Sequence, residues 1–163
     1  MNIGLKKGLG AVIAAVFVAT SAAVTLASEP GNNSFTPSGN QVFGDWEVLV
    51  STHTNDIYAI VSGTMNSNSD VDYILVNCGY RGRSHIRRIK LGDTAGANNP
   101  LPGDYDVYIY DPSSGSAIAS GTVGGTTAET VEMSALGRGT VVAQVVRYTG
   151  ALGNYGLRVE CEP

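Results

Sequence analysis

Histidine and cysteine are scarce, with two of each in 163 residues. No His or second Cys stands at metal-ligand spacing from either cysteine, which argues against a structural zinc site or a pair of free thiols binding metal. P-loop and dinucleotide-binding glycine patterns are missing as well. A hydrolase needs a nucleophile with its base in reach. The segment Gly82-Arg83-Ser84-His85-Ile86 begins like a G-x-S-x-G elbow but has Ile where the last Gly belongs, and no strand-to-helix pattern surrounds it. Carboxylate pairs for glycoside chemistry could be sought among Asp70, Asp72, Asp104 and Asp106, yet acids beside turns are a common surface feature. These gaps argue against an enzyme. No sustained helical period follows residue 30, so helical architectures are disfavoured too.

What is present begins with an export pattern. Lys6 and Lys7 precede an apolar run from Leu9 to Val18, and small residues lead to Thr25-Leu26-Ala27, just before Ser28-Glu29-Pro30. Charge, apolar segment and small-residue exit are the parts of a cleavable signal, which puts residues 1–27 in the signal. The alternative is an uncleaved anchor, but a spanning helix wants about 20 strongly apolar residues, and this stretch is diluted by Ala, Gly, Ser and Thr. The expected destination is the periplasm or the medium. Loss of Lys6 and Lys7 leaves eight basic against fourteen acidic residues, a net charge of −6. An acidic surface disfavours nucleic acid and anionic membranes as partners.

Residues 28–163 suffice for one domain with its own core. In an exported chain, Cys78 and Cys161 are expected to pair. They enclose a loop of 83 positions, whose closure contributes at most about 4 to 5 kcal/mol on the chain-entropy account.

Residues 28–41 are rich in Ser, Pro, Gly and Asn and form an extended lead-in. A single domain then spans 42–163. Short β-prone runs alternate with turn signals, predicting strands over 46–51, 57–62, 71–78, 84–91, 105–111, 116–120, 128–134, 139–148 and 154–161. Alternation puts Tyr155, Leu157, Val159 and Cys161 on one face, as it does Ile74, Val76 and Cys78. Tyr105, Val107 and Ile109 oppose Asp106, Tyr108 and Tyr110. Val141 to Val146 is apolar on both faces, as in a central strand.

One stretch carries a family resemblance. Asp104-Tyr105-Asp106-Val107-Tyr108-Ile109-Tyr110-Asp111-Pro112-Ser113-Ser114-Gly115 resembles the D-x-D-[LV]-Y-[LV]-Y-D-P-x-G strand of the bacterial pre-peptidase C-terminal domain. Leu136 to Val145 is similar to that family's L-x-x-G-T-Y-Y-V-x-V element, and Tyr148-Thr149-Gly150 through Asn154-Tyr155-Gly156-Leu157 to its closing Y-x-G…[DN]-Y-x-L. Upstream, Ser62-Gly63-Thr64-Met65 with Ser69-Asp70-Val71-Asp72-Tyr73 resembles G-x-[IL]…D-x-D-[YF]. Glu29-Pro30-Gly31-Asn32-Asn33-Ser34 resembles the E-P-N-[ND]-S opening, with a glycine inserted. The resemblance implies a jelly-roll-like antiparallel β-sandwich of about eight to nine strands that is not catalytic. Family members usually follow a secreted hydrolase. Here the expected signal leads straight into the module, so a role alone or in trans is expected. The implied partner is an extracellular protein, matrix or glycan surface, or a separately encoded secreted protease met as a monomer.

The resemblance also implies calcium, held by Glu29, Asn32, Asn33, Asp70 and Asp72. Ca²⁺ takes six to eight oxygens, preferably with several carboxylates, and the inserted Gly31 shifts that register. The competing reading makes Asn32 and Asn33 turn residues, with Asp70 and Asp72 capping a strand end.

Arg81, Arg83, Arg87, Arg88 and Lys90 form a local basic cluster around His85. They suit a polyanionic glycan or cell-wall polymer, or else a charged strand that discourages edge pairing. Among Trp46, Tyr58, Tyr80, Tyr108, Tyr110 and Tyr148, the pair Tyr108 and Tyr110 is the best candidate for an exposed stacking platform.

Overall fold

The computed structural model describes residues 25–26, 47–49, 58–78, 85–93 and 99–163. Among these residues ten strands are formed: β1 (Thr25–Leu26), β2 (Glu47–Leu49), β3 (Tyr58–Met65), β4 (Val71–Asn77), β5 (His85–Gly92), β6 (Gly103–Tyr110), β7 (Ala117–Gly121), β8 (Glu129–Glu132), β9 (Thr140–Gly150) and β10 (Gly153–Glu162). One 3-10 turn covers Ser134–Leu136. The strands make two five-stranded sheets. Sheet I runs β1-β3-β10-β5-β8 and sheet II runs β2-β4-β9-β6-β7. Pairing is antiparallel except where the short β1 and β2 lie parallel to β3 and β4. From β3 onward the chain changes sheet at every connection except the β6–β7 hairpin, the habit of an all-β sandwich.

The alternating residues of the two sheets meet in a single core. Val61 and Met65 of β3, Leu157 and Val159 of β10, and Ile86, Ile89 and Leu91 of β5 face Ile74 and Val76 of β4, Val141, Ala143 and Val145 of β9, and Val107 and Ile109 of β6. Strands β4 and β9 are rich in β-branched and aromatic residues, which fit a pleated surface covered on its inner side. Val142 has no exposed surface although it points away from this core, in keeping with the two-sided apolar pattern of its strand.

The expected strands at 57–62, 71–78, 84–91, 105–111, 116–120, 139–148 and 154–161 each have a counterpart within a few residues, and the described part of 46–51, residues 47–49, forms β2. The stretch 128–134 stops at Glu132. There the Met133 amide donates to the Arg87 carbonyl at 2.8 Å and the chain turns into the 3-10 segment. The remainder of the expected signal and the whole of the lead-in 28–41 lie outside the described residues.

Strand β5 departs from simple alternation. Its register with β10 shifts between Glu160 and Cys161, so Arg88 pairs with Glu160 and Ile86 with Cys161. Arg87 is the extra residue of a β-bulge. Ile86 and Ile89, three positions apart, therefore both enter the core. Moreover, β5 lies between β10 and β8. Its charges do not guard a sheet edge, contrary to one of the two expectations for the basic cluster.

Cys78, just past β4, and Cys161 of β10 form a disulfide with Cα atoms 5.9 Å apart. The bond joins sheet II to sheet I at the end where the chain leaves β4. The Cys78 amide also donates to Gly139 O at 2.8 Å, so backbone and bridge fix the same corner.

Candidate functional site

The outward face of sheet II carries a row of tyrosines. Tyr73 of β4 and Tyr108 of β6 both lie in register with Gln144 of the central β9, while Leu75 and Tyr110 flank Val142 one step along. The Gln144 amide ties Tyr73 to Tyr110. Tyr110 Oη donates to Gln144 Oε1 at 2.9 Å, and Gln144 Nε2 donates to Tyr73 Oη at 2.7 Å. Tyr108 Oη donates to Asp106 Oδ2 at 3.3 Å. Tyr73, Tyr108, Tyr110 and Leu75 are half-buried. Burial raises the pKa of Tyr110, and burial followed by the Asp106 charge raises that of Tyr108. Both are neutral phenols at any physiological pH. Asp106, at the end of the row, is itself raised by burial, against which the Tyr108 hydroxyl acts. Rings fixed in this way suit stacking against sugar faces or apolar side chains, with amide and hydroxyl groups alongside.

Sheet I presents a different outer face. The Arg158 guanidinium lies 4.0 Å from the Tyr58 ring centroid. Arg158 Nε is 3.0 Å from Glu160 Oε1, Glu160 Oε2 is 3.5 Å from Arg88 Nε, and Arg88 Nε is 3.2 Å from Glu132 Oε1. These are charge contacts, since neither Nε makes a well-directed hydrogen bond. The ladder crosses β3, β10, β5 and β8. Arg88 is thus engaged by two carboxylates, whereas Arg87, displaced by the bulge, is exposed. Arg81 and Arg83 lie outside the described residues.

Asp70 and Asp72 are both buried. Asp70 Oδ2 accepts the Asn66 amide at 2.6 Å, capping the 66–70 turn. Asp72 Oδ2 accepts the Tyr155 hydroxyl at 2.6 Å inside the sandwich. Tyr155 in turn packs edge-on against Tyr105, with centroids 6.4 Å apart at 87°. The Tyr105 hydroxyl is shared between the carbonyls of Ala151 at 3.1 Å and Gly153 at 3.2 Å. Two of the five residues of the expected calcium set are thus described, and they serve a turn and a buried tyrosine. Glu29, Asn32 and Asn33 lie outside the described residues. Among the described residues, no three His, Cys, Asp or Glu side chains stand together as a metal site.

Glu129 escaped the sequence reading. It is only 1 % exposed and points inward from β8 beneath Gly121 of β7. A Cβ on Gly121 would come 2.9 Å from Glu129 Oε2. Oε1 accepts the Val123 amide at 2.9 Å, while Oε2 is buried without a hydrogen bond. Burial raises its pKa; the Val123 bond opposes this and the charges of Asp106 and Asp104 add to it. Alternation along the strand puts Glu129 on the face of Val131 and Met133, opposite Glu132, but a lone carboxylate on an inward face is uncommon enough that composition alone does not point to it. The hairpin between β9 and β10 supplies a further exposed spot, with Tyr148 74 % and Leu152 44 % exposed. Tyr148 is the unpaired residue where the β6–β9 register shifts. Trp46 and Tyr80 lie outside the described residues.

No protein-family model matches the chain, and no curated protein does. Among solved structures, the pre-peptidase C-terminal domain of a collagenase from Bacillus anthracis is similar. It is 16 % identical, with a TM-score of 0.43, covering 71 % of this chain and 93 % of that one.

Proposed function

We propose that this chain is an exported, noncatalytic binding module that recognises a protein, matrix or glycan surface through the outer face of sheet II. The supporting observation is the row Tyr73, Gln144, Tyr108 and Tyr110, in which the central amide holds Tyr73 and Tyr110 and Asp106 holds Tyr108 before any ligand arrives. Preorganised aromatic surface costs little conformational entropy to use, and stacking against each ring is worth on the order of 1 kcal/mol beyond burial. The other outer face is cross-linked by its own charges and offers less. The Cys78–Cys161 bridge supports an oxidising, extracytoplasmic setting.

Depletion from solution by insoluble polymers tests the reading, with cellulose, chitin, peptidoglycan and fibrous collagen as the trial surfaces. The wild-type chain is expected to be retained on at least one of them. The double variant Tyr108→Ala, Tyr110→Ala is expected to melt near the wild type and lose about tenfold or more in retention, corresponding to about 1.4 kcal/mol. Equal retention of a folded double variant would overturn the assignment to this face.

A further inference from the structure

Beside the tyrosine row lies an edge that little protects among the described residues. Strand β7 is the last of sheet II, with β6 its one strand neighbour among the described residues. Natural sheets blunt such edges with charged side chains, proline, bulges or a covering element. From Ser113 to Ala128 the chain has no Asp, Glu, Lys, Arg or Pro. The outward-lying residues of the strand, Ala117 and Ser120, are small and exposed. One device is present, a register shift at Ile118, but it sits near the start of the strand and leaves Ala119, Ser120 and Gly121 regularly paired with Ile109, Tyr108 and Val107. The neighbouring edge, β8, shows what protection looks like in this molecule: four residues, with Glu132 64 % exposed and held toward Arg88.

We infer that the β7 edge accepts an extended, uncharged segment of another polypeptide as an added strand of sheet II. This rests on the binding-module reading and names its partner class. The free edge of an antiparallel strand offers main-chain donors and acceptors at the strand repeat, which an extended peptide matches and a sugar chain does not. An added strand would lay alternate side chains beside Ser120, which is paired with Tyr108, so the peptide would extend the tyrosine face. Just past the strand, Val123 is 57 % exposed and offers an apolar contact. The edge has no charge to meet a charged residue. Asp104 and Asp106 lie nearby on β6, and the chain is net negative, so an uncharged segment with basic flanks fits better than a second copy.

The probe is a labelled peptide of alternating Thr and Val with a Lys at each end, read by fluorescence anisotropy and by amide hydrogen exchange of the full chain. Binding with slowed exchange across Ala117–Gly121 is expected. The same peptide N-methylated at alternate amides, which removes the donors of one edge, is expected to bind about tenfold more weakly or not at all. Ser120→Lys, a substitution at an exposed site, is expected to keep the melting midpoint and lose the peptide. Equal binding of the methylated peptide, binding without protection of β7, or no binding to the wild type would each overturn the proposal. So would a concentration-dependent dimer protecting the same amides in the absence of peptide. If the peptide fails while polymer retention still depends on Tyr108 and Tyr110, the edge is wrong and the binding face stands.

Discussion

At Gly63 the missing side chain is what lets the Tyr155 phenol reach Asp72. A Cβ there would lie 2.4 Å from Tyr155 Cζ and Oη, and those atoms cannot yield without breaking the buried hydrogen bond. Gly63→Ala is therefore expected to cost about 2 to 4 kcal/mol, combining overpacking with a carboxylate deprived of its donor; urea denaturation measures it. Glu129 makes a second prediction, about pH. Its pKa in the folded chain is raised by burial, so the folded state holds the proton more tightly than the unfolded state. Stability from this group is full below the ordinary glutamate range and falls as pH rises from that range through the folded pKa. Glu129→Gln is expected to remove that decline, making the variant more stable than the wild type at neutral pH. Denaturation midpoints at acid and neutral pH check it; a wild-type slope unchanged in the variant would count against the account. Asp111 acts with the opposite sign. Its hydrogen bonds from Ser113 lower its pKa, so its contribution fades as pH falls.

Strand positions and faces were legible wherever two-residue alternation runs unbroken. Tyr155, Leu157, Val159 and Cys161 are all buried as expected, as are Ile74, Val76 and Cys78. Legibility failed at bulges. Strict alternation assigns Ile86 and Ile89 to opposite faces, and the extra residue Arg87 reverses the assignment. No local sequence rule marks where a bulge falls, because the partner strand sets it. The candidate site was legible in part for the same reason. Tyr108 and Tyr110 follow from the pattern of β6, but Gln144 and Tyr73 join them only through a strand order that places β4, β9 and β6 side by side. Asp70 and Asp72 were read as surface acids or cation ligands, whereas the fold turns Asp72 inward to a tyrosine 83 residues away in sequence.

Across the molecule, one covalent bond supplements the packing of the two sheets. Cys78 and Cys161 are 83 positions apart, and closing so long a loop stabilises by at most about 4 to 5 kcal/mol. Reduction, or Cys78→Ser with Cys161→Ser, is expected to lower the unfolding midpoint by much of that amount while leaving the far-ultraviolet β signature in place. A midpoint unmoved by reductant would show that the sheets need no tie. The position of β10 has a consequence for how the chain comes to be folded. That strand lies between β3 and β5, so the middle of sheet I is filled by residues 153–162, synthesised long after both neighbours. Until they arrive, β3 and β5 have no common partner and the core has only one wall. Folding must then wait for nearly the whole chain and proceed through contacts distant in sequence, which makes it slow.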